Sequence, residues 1–156
     1  MSASEIGTQY ATFIVGELFF GIDVLRVQEV LRYQEMTRVP LSPVVAEGLI
    51  NLRGQIVTAL DMRRRLALPP RPPERLPMNL VVRADEGPVS LLVDEIGDVL
   101  QLDQSAFEAA PDNVSTSARD LIRGVYKLKD RLLLVLDPDK TLDVDEFFES
   151  RTQGSI

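Results

Sequence analysis

Residues 48–66, GLINLRGQIVTALDMRRRL, recur in fainter form 76 positions later as GVYKLKDRLLLVLDPDKTL, and that repetition limits the architecture before any motif is considered. Gly48 falls on Gly124, Leu52 on Leu128, Ile56 on Leu132, Leu60 on Leu136 and Asp61 on Asp137. Arg53 and Lys129 stand at the same bend. Upstream, VQEVL at 27–31 answers IGDVL at 96–100, and Pro40 answers Pro111. A register held across so many positions implies one small β unit used twice.

Each half of the 156 residues is too small to stand alone: a unit of about 70 residues hides only about 60% of its unfolded surface, so the halves must lean on each other. What the chain lacks narrows its chemistry. It has no histidine and no cysteine, which removes the usual neutral-pH base, zinc sites and thiolate or Ser–His nucleophiles. A net charge of −7 argues against wrapping nucleic acid, whose phosphates call for clustered positive charge. No run approaches the ~20 apolar residues of a membrane-spanning helix, and no signal peptide is expected. Cysteine-free composition fits a reducing cytoplasm. The expectation is a cytoplasmic binder, not an enzyme, with no cofactor and no membrane insertion.

The pattern predicts strands at 10–16, 79–83 and 89–93, with hairpins at 48–52/56–60 and 124–128/131–136. The unbroken LLLVL of 132–136 predicts a strand covered on both faces. Asp61 and Asp137 are placed to cap short helices, Asp137 with proline following it. Residues 24–31 are ambiguous between helix and strand; if extended, Val27 and Glu29 share a face. Short strands and frequent turns point to a pair of small barrels, approximately 8–68 and 78–143, forming a single domain over 8–143. Five of the ten prolines lie at 69–77, predicting a stiff, extended, exposed linker, read as a spacer in preference to an SH3-type ligand. Residues 1–7 and 144–156 read as flexible tails, with fraying as far as Gln9.

Several constellations fail as sites. Asp137, Asp139, Thr141 and Asp143 have calcium-loop spacing, but Leu142 replaces the turn glycine and Phe148 the bidentate glutamate. Gly16 and Gly21 have phosphate-loop spacing, but Ile22-Asp23 replaces the lysine and hydroxyl. The acids Asp94, Glu95 and Asp98, and the run Arg63-Arg64-Arg65, read as solvated faces, with Met62 and Leu66 supplying the buried stripe of the helix. Arg53 differs from these, because a bend beside Gly54 presents its planar fork outward between apolar strands.

FGIDVLRVQEVLR, TRVP, GLINLRGQIV with LDMR, and VDEIGDVL together resemble the CheW family of chemosensory coupling proteins, from about Thr8 to Asp143. The resemblance implies a mainly β fold of two intertwined, five-stranded, SH3-like barrels with short helices and an apolar groove between them. It implies a non-enzymatic adaptor that joins the cytoplasmic tip of chemoreceptors to the regulatory domain of a CheA-type histidine kinase, or an equivalent coupler for pilus motility or second-messenger control. Such a chain is expected to be a monomer in solution and to enter rings in membrane-associated arrays. By motif position, Val24, Val27, Glu29 and Arg53 fall on the receptor-facing surface or its support, with Asn51, Gly48 and Gly54 as structural residues of the NLRG block. Two departures stand out: Thr58 where family members often carry proline, and the 69–77 linker.

Overall fold

The computed structural model describes residues 7–38 and 46–143. The tail expectations for 1–6 and 144–156, and the turn assigned to Pro40 and Pro43, lie outside these residues. Fraying does not extend to Gln9, because β1 (Thr8–Val15) already pairs Thr8 and Gln9 with Leu102 and Gln101.

Among the described residues, ten strands make two five-stranded sheets. The first is ordered β8 (Glu95–Leu102), β1, β2 (Leu18–Asp23), β10 (Leu132–Leu136), β9 (Ile122–Lys127). The second is ordered β3 (Val27–Leu31), β6 (Met78–Ala84), β7 (Gly87–Val93), β5 (Gln55–Asp61), β4 (Ala46–Leu52). Each sheet therefore takes a hairpin from one half of the chain and three strands from the other, which is what intertwining means here. The seams where the halves meet include two parallel pairs, β2 with β10 and β5 with β7.

Alternation along the strands distributes side chains between three apolar clusters. Phe13, Val15, Phe20 and Ile22 of the first sheet meet Leu80, Val82, Leu91 and Val93 of the second in the main core. The opposite face of the first sheet gathers Tyr10, Phe19, Tyr126, Leu133 and Val135, and that of the second gathers Ile50, Val57, Ala59 and Leu92. β10 is uninterruptedly apolar because Leu134 and Leu136 serve one cluster and Leu133 and Val135 another.

The repeated glycines have a steric reason. Beyond β3 the chain returns to β4 through reciprocal Thr37–Leu49 hydrogen bonds of 2.8 Å, and beyond β8 it returns to β9 through Glu108–Val125 at 2.9 and 2.8 Å. A Cβ on Gly48 would stand 2.8 Å from the Thr37 carbonyl oxygen, and one on Gly124 2.6 Å from that of Glu108. Only hydrogen fits at either point.

Both predicted caps form. The Asp61 carboxylate accepts from the Arg63 N–H and opens the helical turn Met62–Arg65; that of Asp137 accepts from Asp139 and Lys140 and opens Pro138–Thr141. This cap occupies Asp137, the first of the residues with calcium-loop spacing. Residues 24–31 divide between the two readings, a 3-10 turn over Val24–Arg26 followed by β3.

Candidate functional site

The β4–β5 hairpin turns on two residues, Arg53 and Gly54, both with positive φ (53° and 86°). This is the mirror-image turn that suits the twist of paired strands. Glycine adopts it freely, whereas arginine is strained there. Asn51 steadies the turn by accepting the Gly54 N–H at 2.9 Å. From this tip the Arg53 guanidinium crosses to β3, donating from Nη1 to Glu29 Oε2 at 3.1 Å and from Nη2 to Oε1 at 2.9 Å. β3 and β4 are opposite edges of one sheet, so the fork ties those edges together. The Arg53 side chain is 80% exposed and that of Glu29 17%.

Exposed apolar groups stand on the same strands: Ile56 beside the turn on β5, and Val30 on β3. Val24 lies in the 3-10 turn that Asp23 caps by accepting the Leu25 N–H at 3.0 Å, and Leu25 projects into solvent. Val27 packs on the main core, so it supports the surface more than it forms it. A bulge between Val27 and Glu29 against β6 sets their directions. Gly54 has open space around it, in contrast to the crowded Gly48. Sequence reasoning placed Arg53 at a bend and named Glu29, 24 residues upstream, by motif position, but missed that the two pair, and missed the exposed Leu25, Val30 and Ile56.

Two solvated-face readings are corrected by a second constellation. Asp94 is buried, its side chain 2% exposed, and it accepts from Gly16 N–H at 2.7 Å, Arg63 Nε and Nη2 at 3.0 and 2.7 Å, and Arg71 Nε at 2.8 Å. Arg63 is likewise enclosed, and its Nη1 donates to the Pro69 carbonyl at 3.0 Å. Arg65 reaches the Lys140 and Thr141 carbonyls at 2.8 and 3.2 Å, leaving Arg64 the most exposed of the three. Tertiary position overrides the local pattern, because a buried charge is tolerated once paired. Burial alone would raise the Asp94 carboxyl; the hydrogen bonds from Arg63, Gly16 and Arg71 outweigh it and hold it at about 2. The Asp94 hydrogen bond in turn raises the Arg63 guanidinium. The Gly16 amide, whose spacing resembled a phosphate loop, thus donates to a carboxylate.

The proline-rich segment is mostly exposed, as expected, but it is not an extended spacer. Arg71 is buried against Asp94, Arg75 pairs with Glu95, and the Arg75 N–H closes a turn on the Pro72 carbonyl at 2.9 Å. That turn interrupts the extended helix an SH3 groove reads. Residues 69–77 form a strap pinned to the β7–β8 junction at Asp94 and Glu95.

No helix among the described residues is long and apolar enough to cross a membrane. The CheW-like domain profile matches residues 9–146. A chemotaxis protein CheW of Klebsiella aerogenes is 30% identical over 146 residues, covering 94% of this chain and 88% of its own. One of Bacillus subtilis is 31% identical, covering 89% of each. The crystal structure of the scaffolding protein TtCheW from Thermoanaerobacter tengcongensis superposes with a TM-score of 0.75 at 26% identity, covering 84% of this chain and 89% of its own. The mainly β fold of two five-stranded sheets, the NLRG turn and the span of these likenesses converge: the chain belongs to the CheW family of non-enzymatic chemotaxis adaptors.

Proposed function

We propose that this adaptor, which couples chemoreceptors to a CheA-type kinase, meets the receptor through the edge where Arg53 holds Glu29, with Val24 and Val27 forming or supporting the adjoining surface. The observation that carries the reading is the Arg53 fork. It is an exposed guanidinium held in one direction by a carboxylate, on a strained turn beside exposed Ile56, with exposed Val30 next to Glu29 along β3. Planar donors with packed apolar neighbours are favoured anchors at protein interfaces. Strain kept at an exposed tip is the kind retained at sites that bind. The regulatory domain of the kinase takes another face of the same molecule. The chain works in the cytoplasm, a monomer when free, and is recruited to membrane-associated receptor arrays where many modest contacts act together.

The test is kinase phosphorylation measured with receptor-containing membranes, with and without this chain. A receptor-dependent rise that Arg53→Ala abolishes, while kinase binding persists, supports the assignment. An Arg53→Ala chain that still activates fully places the receptor contact elsewhere.

A further inference from the structure

Among the described residues the chain crosses between its two sheets only twice. β2 runs into β3 through Val24–Arg26, and β7 runs into β8 through Asp94. Both crossings occupy the same place in the repeat, joining the hairpin of a half to its third strand.

They are held very differently. At Asp94 the crossing is a single residue whose N–H donates to the Ile14 carbonyl at 2.9 Å. Its carboxylate gathers the β1–β2 turn through Gly16, the helical turn that follows β5 through Arg63, and the strap through Arg71. Separating the sheets here would take the Ile14 carbonyl and the Gly16 N–H away from a buried Asp94 whose neighbours are already enclosed, and breaking buried hydrogen bonds is costly. At Val24–Arg26 the crossing is three residues long and Leu25 is 78% exposed. Its clasp is reciprocal. Arg26 donates to the Arg83 carbonyl at 2.9 Å, and Arg83 donates to the carbonyls of Leu25 and Val27 at 2.9 and 2.8 Å. Arg26 also pairs at 3.2 Å with Asp139, which is 73% exposed. Water can replace these bonds at little cost.

We propose that Asp94 is the fixed pivot between the two sheets, and that the Val24–Arg26 crossing is the end that yields, latched by Arg26, Arg83 and Asp139. The shared apolar core keeps the sheets in contact, so the motion is a small shear of one sheet on the other. Val24 and Val27 ride on the yielding end. That a receptor drives the motion rests on the reading above; the hinge itself does not.

The test uses the free full-length chain, so its failure is separate from failure of the receptor assignment. Amide hydrogen exchange is followed at Leu25 and Val27 on one crossing, and at Gly16 and Asp94 on the other. The cysteine-free sequence also permits a clean pair of spin labels at Glu86→Cys and Gln104→Cys. Arg26→Ala is expected to accelerate exchange at Leu25 and Val27 about tenfold, to widen the label-to-label distance distribution, and to leave Gly16 and Asp94 unchanged. If Arg26→Ala fails to fold, the double variant Arg83→Ala/Asp139→Ala removes the Arg83 side-chain bonds and the Asp139 pair together and must give the same result. Equal acceleration at both crossings, or an unaltered distance distribution, overturns the proposal.

Discussion

Arg53 grips Glu29 with both terminal nitrogens, although its own backbone sits in a conformation that disfavours any side chain. The strain and the ion pair belong to one device. A left-handed residue at the hairpin tip aims the guanidinium back across the sheet, and the carboxylate fixes where it points.

Substitution separates the two parts. Arg53→Ala keeps the strain and loses the pair; because the arginine is largely exposed, stability should fall by no more than about 1 kcal/mol. Arg53→Gly loses the pair but relieves the left-handed backbone, and should be about 1 kcal/mol more stable than Arg53→Ala. Both should weaken binding to a receptor fragment by ~1–3 kcal/mol if the fork is an anchor. Thermal unfolding and titration calorimetry on the two variants check this. A glycine variant that is the less stable of the two would refute the role given to strain.

The glycines make a graded series. Gly54→Ala meets open space and should cost only the positive-φ penalty, about 1–2 kcal/mol. Gly48→Ala and Gly124→Ala instead push a methyl group into a backbone carbonyl that is itself hydrogen-bonded. Each should cost about 1–3 kcal/mol and also loosen its bridge. Urea midpoints rank the three variants, and exchange at the Leu49 and Val125 amides reports the bridges. Faster exchange at Leu49 in Gly48→Ala but not in Gly54→Ala is the expected signature.

Acid should find Asp94. Burial opposes its ionisation, but Arg63, Gly16 and Arg71 hold the folded carboxyl at about 2, below its ordinary unfolded value near 3.9. A depressed carboxyl contributes stability that is fully present above the unfolded value. That contribution, on the order of 2 kcal/mol, is lost as pH falls from about 4 through about 2. Asp94→Asn should flatten this segment of the stability–pH profile while lowering stability at pH 7. An unchanged acid limb in the variant would assign the acid sensitivity to other carboxylates.

Local chemistry was readable where it decided local structure. The two aspartate caps, the Arg53-Gly54 bend and the two-faced β10 follow from residue type and spacing within a few positions. The strand exchange between halves came through family resemblance, since no propensity says which sheet a hairpin joins. Asp94 and Arg63 were misread because each looks like an ordinary surface charge until Gly16, Arg63 and Arg71 converge from 78, 31 and 23 residues away. Glu29 was found as a motif residue, yet its bond to Arg53 depends on opposite sheet edges approaching each other.

The strap offers the last contrast, between its two anchoring arginines. Arg71 is enclosed, with its Nε on Asp94 and its Nη2 3.8 Å from Asp61 Oδ1, while Arg75 reaches Glu95 from a half-exposed position. Removing Arg71 leaves Asp94 with Arg63 and Gly16, so the node should survive with a loss of about 1–3 kcal/mol, less than for an orphaned buried charge. The strap itself should come free, and protease cleavage between 72 and 76 should rise at least tenfold. Arg75→Ala should cost under about 1 kcal/mol and leave most of the protection in place, because the buried anchor remains. Limited proteolysis by an enzyme that does not cut at arginine, followed by mass spectrometry, reads both variants without losing a cleavage site. If Arg75→Ala opens the strap as fully as Arg71→Ala, the strap is held by its surface pair and not by the Asp94 node.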